Sequence, residues 1–413
     1  MSKRALGIRA PLWVLCWGCV LLWGCATEQK MGRGGLSALA PLSLGQAQLV
    51  HSVPTATALE DPSLPTTEDV WIDMIRKAQK SIDWACFYVA SRRKQALDPV
   101  LLELSQAAAR GVQVRMIFDK QMAKLDPQAM DFLQHMPRAA IRLLDFNLLA
   151  GGSHHAKYLV VDRREVFVGS QNFDWRSLEH IHELGVRIAH PHIAGQLAFL
   201  FEMDFSLAQD KQDTLESNPP VMPRGPLRDI EIGVSPPQLG PAGIRPALPV
   251  LLELISGAKQ SLVIQLLRYS AHAGPDKWDT LETALKQAAA RGVKIRFLVS
   301  NWSTGLPEID DLKTLAGFPG IEVRIGSIPE IPGQFIPYSR VIHSKFAVAD
   351  GQTLWIGSTN WERGMFLSSR NVDVVLKQPA VAAQAQLVFE RLWKSSYTAE
   401  IDIQKHYIPP RVR

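Results

Sequence analysis

One pattern occurs twice in this chain, and it constrains the fold more than any other feature. His155-x-Lys157-x4-Asp162-x6-Gly169-Ser170-x-Asn172 lies in HHAKYLVVDRREVFVGSQN, and His343-x-Lys345-x4-Asp350-x6-Gly357-Ser358-x-Asn360 lies in IHSKFAVADGQTLWIGSTN. Every internal spacing is the same in both copies. The flanks repeat too, down to a shared AAARGV. Ser81 and Ser261 are offset by 180, Gly111 and Gly292 by 181, and His155 and His343 by 188. Short loop insertions account for that drift, so a whole folding unit is duplicated.

Within each copy the signals alternate between helix and strand. Read as a strand, the segment from His155 places His155, Lys157, Leu159 and Val161 on one face. Glu165 to Val168 reads as a returning strand that delivers Ser170 and Asn172 to the same rim. Upstream, Thr66 with Asp69 caps a helix running through Ala78. SIDWACFYVA then reads as a buried strand, and LLELSQAAARGVQVRMIFD as a helix, a Gly111 stop and a strand. PVLLELISGAKQSLVIQLLRYSA and LETALKQAAARGVKIRFLVSN repeat that order around Gly292. The fold class is therefore α/β: two homologous α/β/α sandwiches, each a sheet covered by helices on both faces. Packed about a pseudo-two-fold axis, they bring the two His-Lys rims together, so the active site is expected at their interface.

The expected organisation is a signal segment over residues 1–24, a tether over 25–46, a first domain over 47–210, a Pro/Gly-rich connection over 211–246 and a second domain over 247–413. IEIGV inside the connection is a candidate strand. Lys3, Arg4 and Arg9 precede an apolar run from Leu12 to Trp23, ending at Gly24-Cys25. This resembles a bacterial lipoprotein signal, which implies lipidation of Cys25. Ala26 rather than Asp after that cysteine implies the outer membrane, so the expected location is the cell envelope, lipid-anchored on the periplasmic face. Of four cysteines only Cys86 lies in the body, which excludes an intramolecular disulfide framework. The formal charge is +5, and removing the three cations of residues 1–24, which carry no acid, leaves +2. A body so near neutrality does not advertise bulk polyanion binding. Arg268, Lys294 and Arg296 are the cations that a local polyanion track would need.

The paired motif resembles that of the phospholipase D superfamily. HAKYLVVD, VGSQNFDWRSL and IPYSRVIHSKF are most similar to its animal lysosomal branch, which includes spleen-exonuclease-type enzymes. NFDWRSL is also similar to cardiolipin synthases. The animal proteins carry disulfides, which this body cannot form.

The residue types fit phosphodiester chemistry, which needs a nucleophile, an acid for the leaving oxygen and cations around the phosphate. Two histidines can divide the first two tasks near neutral pH. Lys157, Lys345, Asn172 and Asn360 can hold phosphate oxygens, with Ser170 and Ser358 in support. Two ammonium groups supply the charge, so no metal and no cofactor is called for. The resemblance implies that His155 forms a phosphohistidine and that His343 is the general acid, although on paper the halves are symmetric and the roles exchangeable. Glu183 and Asn371 each lie eleven residues after the motif asparagine. They are candidates to orient the imidazoles. Asp162 and Asp350 read as turn residues, and Gly169 and Gly357 as structural parts of the motif. His154, His180 and His182 lack counterparts in the second copy and read as structural or solvated. Phe146, Phe335, Tyr338 and Trp361 are candidates for a rim that would suit acyl chains or stacked bases.

Three functions follow for comparison. The first is an enzyme that hydrolyses or transfers a phosphatidyl group, with a phospholipid as its partner and a membrane tether at Cys25. The second is an exported nuclease for single-stranded nucleic acid. The third, a non-catalytic envelope binding protein, is disfavoured because both motifs are intact.

Overall fold

Capping and stop residues set the helices where the sequence places them. Thr66 accepts the Asp69 amide and donates its hydroxyl to the Asp69 carboxylate at 2.6 Å, opening α1 (Thr67–Lys77) after β1 (Ala47–Ser52). β2 (Ser81–Cys86) and the short β3 (Val89–Ala90) follow. α2 (Leu97–Ala109) stops at Gly111, whose φ of +98° is left-handed. Next come β4 (Gln113–Asp119), α3 (Pro127–Gln134), β5 (Ala139–Leu144) and α4 (Phe146–Ala150). β6 (Tyr158–Val161), β7 (Glu165–Gly169), β8 (Phe173–Asp174), α5 (Trp175–Glu179), β9 (Glu183–Ala189) and α6 (Pro191–Leu207) complete the first half.

The second half runs β10 (Ile230–Ser235), β11 (Arg245–Pro246), α7 (Ala247–Gly257), β12 (Ser261–Leu266), β13 (His272–Ala273), β14 (Asp276–Lys277) and α8 (Thr280–Ala290). After Gly292, at φ +94°, come β15 (Lys294–Ser300), α9 (Glu308–Ala316), β16 (Ile321–Gly326), β17 (Phe346–Ala349) and β18 (Thr353–Gly357). The chain ends with α10 (Arg363–Leu367), β19 (Asn371–Leu376), α11 (Pro379–Trp393) and β20 (Thr398–Glu400). The structure, a computed structural model, describes residues 39–208, 229–273 and 276–413. Cys25, the signal segment, residues 26–38 of the expected tether and residues 211–228 of the expected connection lie outside them.

The sheets confirm the duplication strand by strand. The first has the order β1-β9-β7-β6-β2-β4-β5, and the second β11-β10-β19-β18-β17-β12-β15-β16-β20. Removing the edge strands β11 and β20 leaves the same order. β10, the IEIGV segment, is thus the counterpart of β1. In both sheets the three strands at one side are parallel, and β6 or β17 returns antiparallel to β2 or β12. α1, α2 and α3 bury one face of the first sheet around Trp71, Trp84 and Phe173, and α7, α8 and α9 do the same for the second. The inner faces share one apolar core with α6 and α11, running from Tyr158 and Val186 to Ile356 and Phe389. Burial of both inner faces joins the halves into a single unit, Leu39–Arg413.

The motif aspartates are scaffold. Asp162 accepts the amides of Gln79, Lys80 and Ser81 at 2.7–2.9 Å, and Asp350 those of Lys259, Gln260 and Ser261 at 2.8–2.9 Å. Each ties the hairpin after β6 or β17 to the start of β2 or β12, at the strand end opposite the motif histidine. Gly169 and Gly357 are required by close approach. A Cβ on Gly357 would lie 2.5 Å from the Val372 carbonyl oxygen, and one on Gly169 would lie 2.8 Å from Gly185 Cα.

Candidate active site

The two histidine-bearing segments meet at the seam between the halves through main-chain bonds. His155 donates its amide to the Arg370 carbonyl, and Arg370 returns one to Ser153, both at 2.9 Å. In the mirrored arrangement His343 donates to the His182 carbonyl, and His182 to Val341, again at 2.9 Å. The regular strand therefore begins at Tyr158, not at His155: the first motif residues pair with the opposite half instead of extending β6.

These crossed pairings place each imidazole against a polar residue of the other half. His155 Nδ1 lies 2.9 Å from Asn371 Oδ1, and His343 Nδ1 lies 2.8 Å from Glu183 Oε2. The Asn371 amide is fixed at its other end, because Nδ2 donates to the Met365 carbonyl at 2.9 Å while Ser358 Oγ donates to Oδ1 at 2.9 Å. Only an oxygen then faces His155, so Nδ1 of His155 carries the hydrogen and Nε2 keeps its lone pair. Glu183 is held by Ser177 Oγ at 2.5 Å. Burial works to raise the Glu183 pKa, but the His343 imidazole and the Lys345 ammonium outweigh it and keep the carboxyl below its usual range.

The lysines stand beside their histidines. Lys157 Nζ donates to the His155 carbonyl at 2.7 Å, and Lys345 Nζ to the His343 carbonyl. Burial is the main cause that lowers all four groups. It takes His155 and Lys157 well below their ordinary values, His343 to about 4 and Lys345 to about 7. The neighbouring ammonium groups push in the same direction on His155, Lys157 and His343, and Glu183 opposes the fall at His343 and Lys345. Burial thus leads and the clustered cations add to it at three of the four groups, whereas the negative charge of a bound phosphodiester would push all four up.

Ser170 Oγ bridges to the Leu184 main chain at 3.1 Å, as Ser358 does to Val372. Asn172 Nδ2 donates to Tyr88 Oη at 3.2 Å, and the Oδ1 atoms of Asn172 and Asn360 are buried without partners. His155, Lys157, Asn172, Ser170, His343, Lys345, Asn360, Ser358, Glu183 and Asn371 thus converge on one buried centre. Phe87 closes it on the first side, its ring 4.9 Å from that of His155 and 5.0 Å from Lys157 Nζ.

Other expectations are corrected. Phe146 and Trp361 are fully buried and line no rim. Phe146 underlies the Arg370 guanidinium, and Trp361 packs on Trp355 and Phe297. Tyr338 is 41% exposed. Phe335 is covered by Arg411. Lys294 sits at the start of β15, the end remote from the histidines, and Arg296 is spent on Glu390. Of the two readings open for His154, His180 and His182, structural or solvated, burial of all three selects the structural one. His182 meets Ser344 at 3.3 Å, His180 meets Thr55 at 3.2 Å, and His154 stands 3.6 Å from Asp204. Two contributors escaped the sequence reading. Ser177, five positions beyond Asn172 inside NFDWRSL, also accepts the Asn172 amide at 3.0 Å. Arg370 binds Asp204 of α6 through two bonds of 2.9 and 2.8 Å, with both side chains wholly buried, and so locks the segment that carries Asn371 to the first half.

Known proteins resemble this chain in sequence and in fold. Residues 71–205 and 251–393 each match the family described as "Cardiolipin synthase, PLD-like domain". Phospholipase D Z of Dictyostelium discoideum is 26% identical, over 92% of this chain and 97% of its own. The 5′-3′ exonuclease PLD3 of Rattus norvegicus is 30% identical, over 86% of this chain and 81% of its own. Among solved structures, the phosphatidylserine synthase of Haemophilus influenzae superposes with a TM-score of 0.59 at 14% identity, covering 82% of this chain and 86% of that one, which is a likeness of fold. With two matching repeats that carry both copies of the motif and meet in a single buried site, the chain belongs to the phospholipase D superfamily of phosphodiesterases.

Proposed function

We propose that this enzyme hydrolyses or transfers the phosphatidyl group of a phospholipid in two steps, with His155 as nucleophile and His343 as general acid. The observation that carries the assignment of roles is the unequal pair behind the imidazoles: a neutral amide at His155 and a carboxylate at His343. A nucleophile must be neutral and an acid must hold a proton; of the two partners only Glu183 carries a charge that opposes the fall of its histidine's pKa, and the charge of a bound phosphodiester would add to it.

The His155 Nε2 lone pair attacks phosphorus, the bond to the leaving oxygen breaks, and that oxygen takes the Nε2 proton of His343. Water or an alcohol then gives its proton to His343 and attacks phosphorus, and the P–N bond electrons return to His155. Lys157, Lys345 and the two asparagine amides stabilise the equatorial oxygens throughout. These groups supply the positive charge, so cleavage is expected to persist in excess EDTA.

Support for a phosphatidyl substrate comes from the full-length similarity to a phospholipase D and from the apolar Phe87 wall beside the nucleophile. A lipid anchor at Cys25 in a bacterial envelope, which remains a proposal, would bring the site to its substrate. A second reading, a nuclease for single-stranded nucleic acid, is favoured by the similarity to 5′-3′ exonucleases. Offering the purified protein phosphatidylglycerol vesicles and a single-stranded oligonucleotide in parallel, beside a His155→Ala control, separates the two. Release of phosphatidic acid or transfer products supports the lipid reading, and nucleotide release alone replaces it with the second.

A further inference from the structure

The two halves agree at every motif position and diverge just outside it. At the offset of Ser81 and Ser261, Phe87-Tyr88 corresponds to Leu267-Arg268, and at that of the motif asparagines Asp174 corresponds to Glu362. On the first side Tyr88 and Asp174 satisfy one another. Tyr88 Oη donates to Asp174 at 2.9 Å and accepts from Asn172, and Arg176 covers the same carboxylate at 2.8 Å.

The second side is open. Trp361 donates its amide to the Arg268 carbonyl at 3.3 Å and accepts that of Ser270 at 3.0 Å, so Arg268 and Glu362 flank one rung beside Asn360. The Arg268 side chain is 42% exposed, with its guanidinium 3.5 Å from the Glu308 carboxylate. The Glu362 carboxyl is raised by burial and feels both Arg268 and Lys345. An exposed guanidinium beside carboxylates therefore lies next to Asn360 on this side, where the first side is closed by Tyr88.

We infer that Arg268, Glu362 and Glu308 form the subsite for the leaving alcohol, and that they take an alcohol bearing further free hydroxyl groups, as a glycerol headgroup does. This rests on the phosphatidyl reading and on the roles of the histidines. In-line displacement by His155 expels the leaving oxygen on the opposite side of phosphorus, next to His343 and hence against the second half. Each hydroxyl both donates and accepts, which matches a guanidinium 3.5 Å from the Glu308 carboxylate with Glu362 next to the rung that Arg268 shares with Trp361. A leaving group with a second phosphate would meet both carboxylates, and a quaternary ammonium would meet the guanidinium and could donate no hydrogen bond.

The test compares kcat/KM of the full-length protein on phosphatidylglycerol and phosphatidylcholine in identical mixed micelles. The wild-type protein is expected to prefer phosphatidylglycerol. Arg268→Ala should lower that ratio about tenfold, the worth of one charge-assisted hydrogen bond. Glu362→Gln should lower it in the same direction. The ratio is independent of the folded fraction, so a destabilised variant still reports, and Arg268→Lys should keep part of the preference. A wild-type ratio near one, or a preference unchanged in both Arg268→Ala and Glu362→Gln, overturns the subsite. Failure to cleave either lipid, with oligonucleotide cleaved, overturns the phosphatidyl reading and the subsite with it.

Discussion

The Nδ1 atom of His155 lies 2.9 Å from Oδ1 of Asn371, a residue 216 positions later on the opposite half. Its counterpart, 2.8 Å from His343 to Glu183, spans 160 positions in the other sense. Each half therefore orients the histidine of the other, and the amide-carboxylate difference removes the symmetry of the motifs.

Replacing that amide by a carboxylate should change the pH profile rather than merely the rate. Asn371→Asp puts a negative charge beside His155, stabilises imidazolium and raises the pKa of the nucleophile. The acid limb of kcat/KM is expected to move to higher pH, with activity retained on its alkaline side. A pH profile from 3 to 9 decides the matter, and an unmoved acid limb rules out His155 as the group that must be neutral.

Glu183→Gln removes the charge that favours the proton on His343. kcat on alkyl phosphodiesters should fall about 10²- to 10⁴-fold, the range for a lost general acid. A p-nitrophenyl diester, whose leaving group needs little protonation, should lose far less. Equal losses on both substrates would mean that the carboxylate acts only through folding.

Lys345, lowered to about 7 chiefly by burial, must be charged to hold phosphate. Protonated below that value and neutral above it, it should add a further decline in kcat/KM of the free enzyme as pH rises through about 7, beyond the one that loss of the His343 proton begins at about 4. An enzyme equally efficient at pH 6 and 9 contradicts this account.

Without His343, a nitrophenyl diester can still phosphorylate the nucleophile's nitrogen, expelling nitrophenolate, but water lacks its base. The His343→Ala variant is expected to release about one nitrophenol per site and then stall. Mass spectrometry of the stalled protein should find an acid-labile phosphoryl adduct on His155. An adduct on any other residue refutes the assigned nucleophile.

Asp204→Asn leaves the Arg370 guanidinium buried without its counter-charge. Removing one partner of a buried ion pair costs about 3–5 kcal/mol. Urea unfolding should show a loss of that order, and kcat should fall as well because Arg370 precedes Asn371. A loss below about 1 kcal/mol, the scale of a surface pair, would mean that the lock contributes little.

Much of this was legible locally. Thr66, Gly111 and Gly292 act through neighbours within a few positions, so their helix boundaries could be read from the chain. The spacing of Asp162 and Asp350 behind each histidine marked the hairpins, and eleven-residue spacing singled out Glu183 and Asn371. The exposed or buried state of Phe146, Trp361 and the unpaired histidines was not legible, because it depends on which surface the other half covers.

The sequence by itself determined the duplication, the alternation of helix and strand within each copy, and the set of groups able to cleave a phosphodiester, since these rest on residue identity and short-range periodicity. Tertiary structure alone decided which orienting residue serves which histidine, that Arg370 and Asp204 lock the seam, and that one side of the cleft is closed by Tyr88 while the other is open at Arg268. The first two of those relations join residues 160 or more positions apart, and only burial of the two inner sheet faces against one another brings them within hydrogen-bonding distance.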